Sequence, residues 1–199
     1  MNKLLSKLRS YKSSDTVYNQ YQNPVLINNL RLYLAHCKKK RIKTLLIGEA
    51  PGYAGCAITG IPFTSNRILS RTDISFFDDI RKDLLPTDNS TERSATIVWN
   101  ALNDLEFVPV FWNSFPFHPH KKNSLKSNRA PLPEEVMEGK EYLKLVMEYL
   151  DPNVVAGLGW EGYNTLKDLF PEREIKYIRH PSYGGKPEFI KGLKTIKNI

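Results

Sequence analysis

The sequence predicts an α/β fold of three layers, α/β/α, with a central four-stranded parallel sheet. Four short apolar or β-branched runs, at 44–47, 108–112, 153–158 and 174–178, each stop at a turn signal and read as buried strands. Helical patterns lie between and around them. Parallel neighbours need crossover connections, and these are normally helices that cover both faces of the sheet.

The helices follow in order. Residues 24–38 space Leu26, Ile27, Leu30, Leu34 and Cys37 at helical intervals. The basic run that follows suits the negative end of a helix dipole. Residues 76–85 and 92–105 are two further helices across a polar turn at 86–90, the second with Ala95, Val98, Leu102 and Leu105 along one face. Pro133 followed by Glu134 and Glu135 marks a helix start. That helix runs over 133–150 and turns Val136, Leu143, Val146 and Leu150 to the core. Helices at 163–170 and 188–197 complete the set, and 123–133 reads as a mobile loop.

The length of 199 residues fits one domain, 1–199, with a real core. A hydrophobic fraction of 41% argues against wholesale disorder. No apolar run approaches a membrane span, and the first residues lack the continuous apolar stretch of a secretory signal. Cys37 and Cys56 are too few for a disulfide framework, and cannot alone hold a zinc or iron–sulfur site. A reducing cytoplasmic setting is expected. Lys plus Arg number 29 against 21 Asp plus Glu, a net charge of +8, which favours an anionic partner without naming one. The basic clusters at Lys121, Lys122, Lys126 and Arg129, and at Arg179 and Lys186, stand beside unusual loops.

In α/β sheets, ligands bind beyond the carboxyl ends of the strands. After the first strand comes Gly48-Glu49-Ala50-Pro51-Gly52-Tyr53-Ala54-Gly55-Cys56, then Gly60-Ile61-Pro62-Phe63. Glycine and proline let this backbone turn sharply and approach a ligand. No Gly-Lys-Ser/Thr follows, so it is not a Walker A loop. By itself it reads sooner as a turn closing a buried strand than as a ligand loop. The second strand ends at Asn113, whose amide offers paired donor and acceptor groups suited to a pyrimidine edge, or to capping a turn. His118 and His120 follow, but no further ligands stand near enough to complete a metal site, so no metal is expected. Lys121 and Lys122, with His118, suit phosphate contact. After the fourth strand comes Arg179-His180-Pro181-Ser182-Tyr183-Gly184, with His180 a candidate donor to an anionic leaving group.

These motifs, in this order over residues 48–185, resemble the uracil-DNA glycosylase superfamily. The resemblance implies an α/β/α enzyme of base excision repair. Such an enzyme flips a nucleotide from DNA and hydrolyses its N-glycosidic bond, as a monomer without cofactor or membrane partner. Its DNA would carry uracil or another damaged base. On that resemblance Gly48, Ala50, Pro51 and Gly52 form the substrate loop, Phe63 stacks on the extruded base, and Asn113 reads its edge. His180 stabilises the departing anion, while Ser182, Tyr183 and Gly184 enter the duplex as a wedge. Tyr53 stands near the place where the best-known branch has a bulky residue that blocks the thymine methyl, and the resemblance gives it the same role; it reads equally as a loop aromatic packed on the sheet edge.

One departure bears on water activation. The best-known branch has Asp where this chain has Ala50. The Gly-Glu-Ala-Pro-Gly version resembles branches carrying an iron–sulfur cluster, yet those use four cysteines and this chain has two. The proton acceptor is therefore open between Glu49, a backbone-held water near Ala50, and the charge of the DNA phosphates. The missing Asp also motivates an alternative, a glycosylase-like fold that is catalytically weak or inactive and binds nucleic acid or a free base.

Overall fold

A computed structural model describes residues 1–85 and 89–198. All four expected strands are present. β2 (Thr44–Gly48), β3 (Val110–Asn113), β5 (Val154–Leu158) and β6 (Ile175–Ile178) form one parallel sheet in the order β3-β2-β5-β6. A two-residue antiparallel pairing of β1 (Val17–Tyr18) with β4 (His118–Pro119) stands apart and ties the amino-terminal segment to the chain after β3.

The register assigns the two faces. Phe111, Leu46, Ala156 and Lys176 are neighbours across the strands, as are Trp112, Ile47, Gly157 and Tyr177 one residue later. Side chains alternate along a strand, so the two rows face opposite layers. Phe111 meets Trp99 of α5 (Arg93–Leu105). On that same face Ile178 packs against Gly192 of α8 (Lys186–Lys197). Gly157 on the other face lies under Tyr163 of α7 (Trp160–Leu169), and α6 (Pro133–Leu150) packs beside α7. The result is three layers, α/β/α. α2 (Pro24–Lys39) reaches the β3 edge, where the Phe111 N–H donates to the Tyr33 hydroxyl at 2.8 Å.

Three expectations are corrected. α7 starts at Trp160 rather than 163, because Gly162 is where the helix touches the sheet. A β-carbon there would come 1.8 Å from the Ile47 carbonyl oxygen. The expected helix over 76–85 is two short 3₁₀ turns, Ser75–Phe77 and Arg81–Asp83. The Arg81 guanidinium donates to the carbonyls of Leu69 (2.6 Å) and Ile74 (2.7 Å) and to Asp78, pulling the segment into a tighter path. The segment 123–133 is pinned rather than loose. Arg129 donates to both Glu135 oxygens, at 2.7 and 2.6 Å, and to the Thr16 carbonyl at 3.0 Å. Part of the polar turn expected at 86–90 lies outside the described residues. The sequence reading also passed over α1 (Asn2–Ser10), α3 (Cys56–Thr59) and α4 (Asn66–Ser70). Among the described residues, no helix is long and apolar enough to cross a membrane.

Candidate active site

A cleft of about 400 Å³ opens beyond the carboxyl ends of the strands. Its walls come from six separate stretches: the loop after β2 with Phe63, the start of α5, the end of β3, the segment before α6, the end of β5 with the start of α7, and the turn after β6.

The floor is built around Gly48, the register partner of Asn113. Having no side chain, Gly48 lets the Phe63 ring lie directly on the sheet. A β-carbon at 48 would stand 2.4 Å from Phe63 Cζ and 3.1 Å from Asn113 Oδ1. The Phe63 backbone is held at φ +55°, a conformation that L residues rarely take. Trp99 Nε1–H fixes it by donating to the Phe63 carbonyl at 2.8 Å, and the Phe111 ring packs against it at 5.1 Å between centroids. Asn113 is nearly buried, yet its amide has no hydrogen-bond partner among the described residues. It lines the cleft as an unspent donor–acceptor pair.

His180 stands across from Phe63, with ring centroids 6.2 Å apart. The Ser182 N–H donates to its Nδ1 at 3.2 Å. In the neutral ring the proton therefore sits on Nε2, the other ring nitrogen. Burial lowers the His180 pKa, and the neighbouring Arg179 lowers it further, so the neutral ring is favoured. The turn that carries it is anchored by the Ser182 hydroxyl, 3.1 Å from that of Ser94 at the start of α5.

Glu49 also lines the cleft. Much of the residue is open to it, but the walls on either side desolvate the carboxylate and push its pKa up; Glu161, a second carboxylate on the wall, pushes it further. Cys56 is buried at the cleft edge near the Tyr21 hydroxyl, and burial pushes its thiol up to about 12, which leaves it inert at neutral pH. Among the described residues no three His, Cys, Asp or Glu side chains are grouped to hold a metal ion.

The cleft brings together Glu49, Ala50, Pro51, Gly52, Phe63, Asn113, His180, Ser182 and Tyr183. Tyr183 sits at its rim, 99% exposed and at φ +51°. Gly48 lies beneath Phe63 rather than in the lining. Tyr53 points outside the lining, its N–H held by Asn128 Oδ1 at 3.0 Å. Gly184, Lys121 and Lys122 are also outside it, and Lys122 pairs with Asp15. His118 is not placed for phosphate contact: it is buried, with Nδ1 2.8 Å from the Pro51 carbonyl oxygen and Nε2 3.0 Å from that of Leu125.

Sequence reasoning missed Glu92, Asn128, Arg129 and Glu161, all in the lining. Asn128 and Arg129 arrive because the segment before α6 folds back onto the loop after β2. The one sequence signal for that is Glu135 at the third position of α6, which accepts from both Arg129 and the Leu132 N–H.

No family model matches the chain, and no curated protein does. Its fold is similar to that in the crystal structure of wild-type Pedobacter heparinus SMUG2. The two agree with a TM-score of 0.62 at 15% sequence identity, over 100% of this chain and 98% of that one.

Proposed function

We propose that the chain is a DNA glycosylase, hydrolysing the N-glycosidic bond of uracil or a related deaminated base after the nucleotide is flipped into the cleft. The observation that carries this reading is the convergence of the Phe63 ring, the unpartnered Asn113 amide and the free Nε2 of His180 on one space of about 400 Å³. The motif order and the fold shared with SMUG2 support it.

Each group then has a task. Phe63 stacks on the base and Asn113 pairs with its edge, which offsets the few kcal/mol of unstacking. As the N-glycosidic bond breaks, its electron pair leaves with the base, and positive charge develops on the sugar. The His180 Nε2–H donates to the base oxygen on which negative charge gathers. Water forms the new bond to the sugar, and Glu49 takes its proton; a carboxylate held above its ordinary range by burial and by Glu161 suits that exchange. Tyr183, bare at the rim, fills the gap left in the duplex.

The test is incubation with a uracil-containing oligonucleotide followed by alkali. Strand breaks at the uracil position are expected. A gel shift without breaks overturns the enzymatic reading and leaves the binding protein that Ala50, standing where the best-known branch has Asp, suggests. In the Glu49→Gln variant, excision at the wild-type rate removes Glu49 from its role.

A further inference from the structure

A second recess, of about 560 Å³, lies between α4 and α5. Arg67 and Arg71 line it from α4 and its carboxyl cap, Thr96 and Asn100 line it from α5, and Thr91 joins them from just ahead of that helix. Residues four apart on a helix share a face, so each helix turns two polar side chains to the same space.

The two guanidiniums differ in how far they are engaged. Arg71 Nε and Nη2 donate to the Asp73 carboxylate at 3.0 and 2.5 Å, and its Nη1 donates to Asn100 Oδ1 at 2.5 Å. Arg67 is exposed, and among the described residues its side chain has neither a hydrogen bond nor an ion pair. Its backbone is nonetheless fixed, with the N–H donating to the Ser90 carbonyl at 3.1 Å. Two guanidiniums against one carboxylate leave a single positive charge, which matches the single negative charge of a phosphodiester. Two of the basic residues singled out in the sequence are, by contrast, already paired, Lys122 with Asp15 and Arg129 with Glu135.

The recess adjoins the cleft. Phe63 and Thr64 line the cleft just ahead of Arg67, and Glu92 and Ser94 line it just after Thr91. A chain spans at most about 3.6 Å per residue, so the Arg67 backbone lies within about 11 Å of that of Thr64. Each DNA strand carries a phosphate about every 3.4 Å along the helix axis. A nucleotide held in the cleft therefore brings the phosphates of its neighbours within reach of the recess. The guanidinium fork matches phosphate oxygens, and hydroxyl and amide groups commonly join it there.

We propose that this recess grips the DNA backbone beside the cleft, with the Arg67 guanidinium on a phosphate that flanks the extruded nucleotide and the Thr91 hydroxyl beside it. This rests on the DNA-binding part of the reading above and names where the strand runs, from the cleft over α4 and the start of α5. The contact positions the strand without reading a base, so it serves every sequence alike.

The salt dependence of binding tests it. The Kd of a uracil-containing oligonucleotide, and of the same sequence without uracil, is measured over a range of salt concentrations. In Arg67→Ala the slope of log affinity against log salt is expected to shrink by about 1, with weaker binding of both oligonucleotides alike. Arg67→Lys, which keeps the charge and loses the fork, should restore the slope and only part of the affinity. Lys144→Ala removes one charge from a lysine of α6 that is paired with Glu141, and should leave the slope as in wild type. An unaltered slope in Arg67→Ala overturns the proposal. So does an equal fall in Lys144→Ala, since the slope then follows net charge rather than a contact. Alkali cleavage separates this from the glycosylase reading. Abasic sites with no Arg67 dependence of the slope remove the recess alone; an Arg67-dependent slope with no abasic sites removes the glycosylase alone.

Discussion

The Phe63 ring rests on the backbone of Gly48, so closely that a methyl group at position 48 would come within 2.4 Å of Phe63 Cζ. β2 is held on both sides by β3 and β5, so the ring must yield rather than the strand. Gly48→Ala is therefore expected to displace Phe63 from Asn113 and His180. Misplacing a positioning group by about 1 Å can cost about 100-fold in rate. Single-turnover excision should fall by at least tenfold, and an unchanged rate would contradict the placement of the ring.

Asn113 and His180 contribute little to holding the fold: among the described residues the Asn113 amide has no hydrogen-bond partner, and the His180 ring has a single backbone donor to its Nδ1. Asn113→Ala and His180→Ala should each lower single-turnover uracil release by about 100-fold or more. Their melting temperatures should stay close to wild type. If both release uracil at the wild-type rate, the site is elsewhere.

The neutral His180 ring has a pH signature. Burial and Arg179 hold its pKa below the ordinary imidazole value of 6.5, so the Nε2–H donor with an unprotonated Nδ1 persists as pH falls past that value. The acid limb of a pH–rate profile should lie below 6.5, and any limb that remains in His180→Ala belongs to Glu49, the proton acceptor whose pKa is raised. Activity that is instead lost as pH rises through the imidazole range would mean that the charged ring acts.

Stability should also fall on mild acidification. Burial lowers the pKa of His36, His118 and His180 in the fold. The unfolded chain then binds more protons just below the ordinary imidazole value, so stability is full above about pH 6.5 and is lost as pH drops through the window beneath it. Glu49 and Glu138, with their pKa raised, work in the opposite direction, two groups against three. Melting temperatures between about pH 7.5 and 5.5 check this, and a flat profile would refute it.

Much of the fold was legible because burial writes itself into composition. The runs around Leu45, Phe111, Val155 and Ile175 are apolar because parallel strands are covered on both faces. Asn113 and His180 were legible as candidates because each follows such a run. The helix expected from 163 begins at Trp160 and so takes in Gly162, which lies against the Ile47 carbonyl. Gly162→Ala should accordingly destabilise the protein by about 1–3 kcal/mol, read as a lower urea midpoint. Asn128 and Arg129 were illegible as cleft residues. Their place depends on a fold-back fixed by Glu135, His118 and Thr16, contacts between residues that no local pattern connects.

His118 joins the Pro51 and Leu125 carbonyls, and Asn128 holds the Tyr53 N–H, so the loop after β2 and the segment before α6 are fastened to each other at two points. These two walls form a matched set. A loop grafted alone from a relative would arrive without its counterpart's fastenings, so any change of base preference by exchange of loops has to carry both segments together.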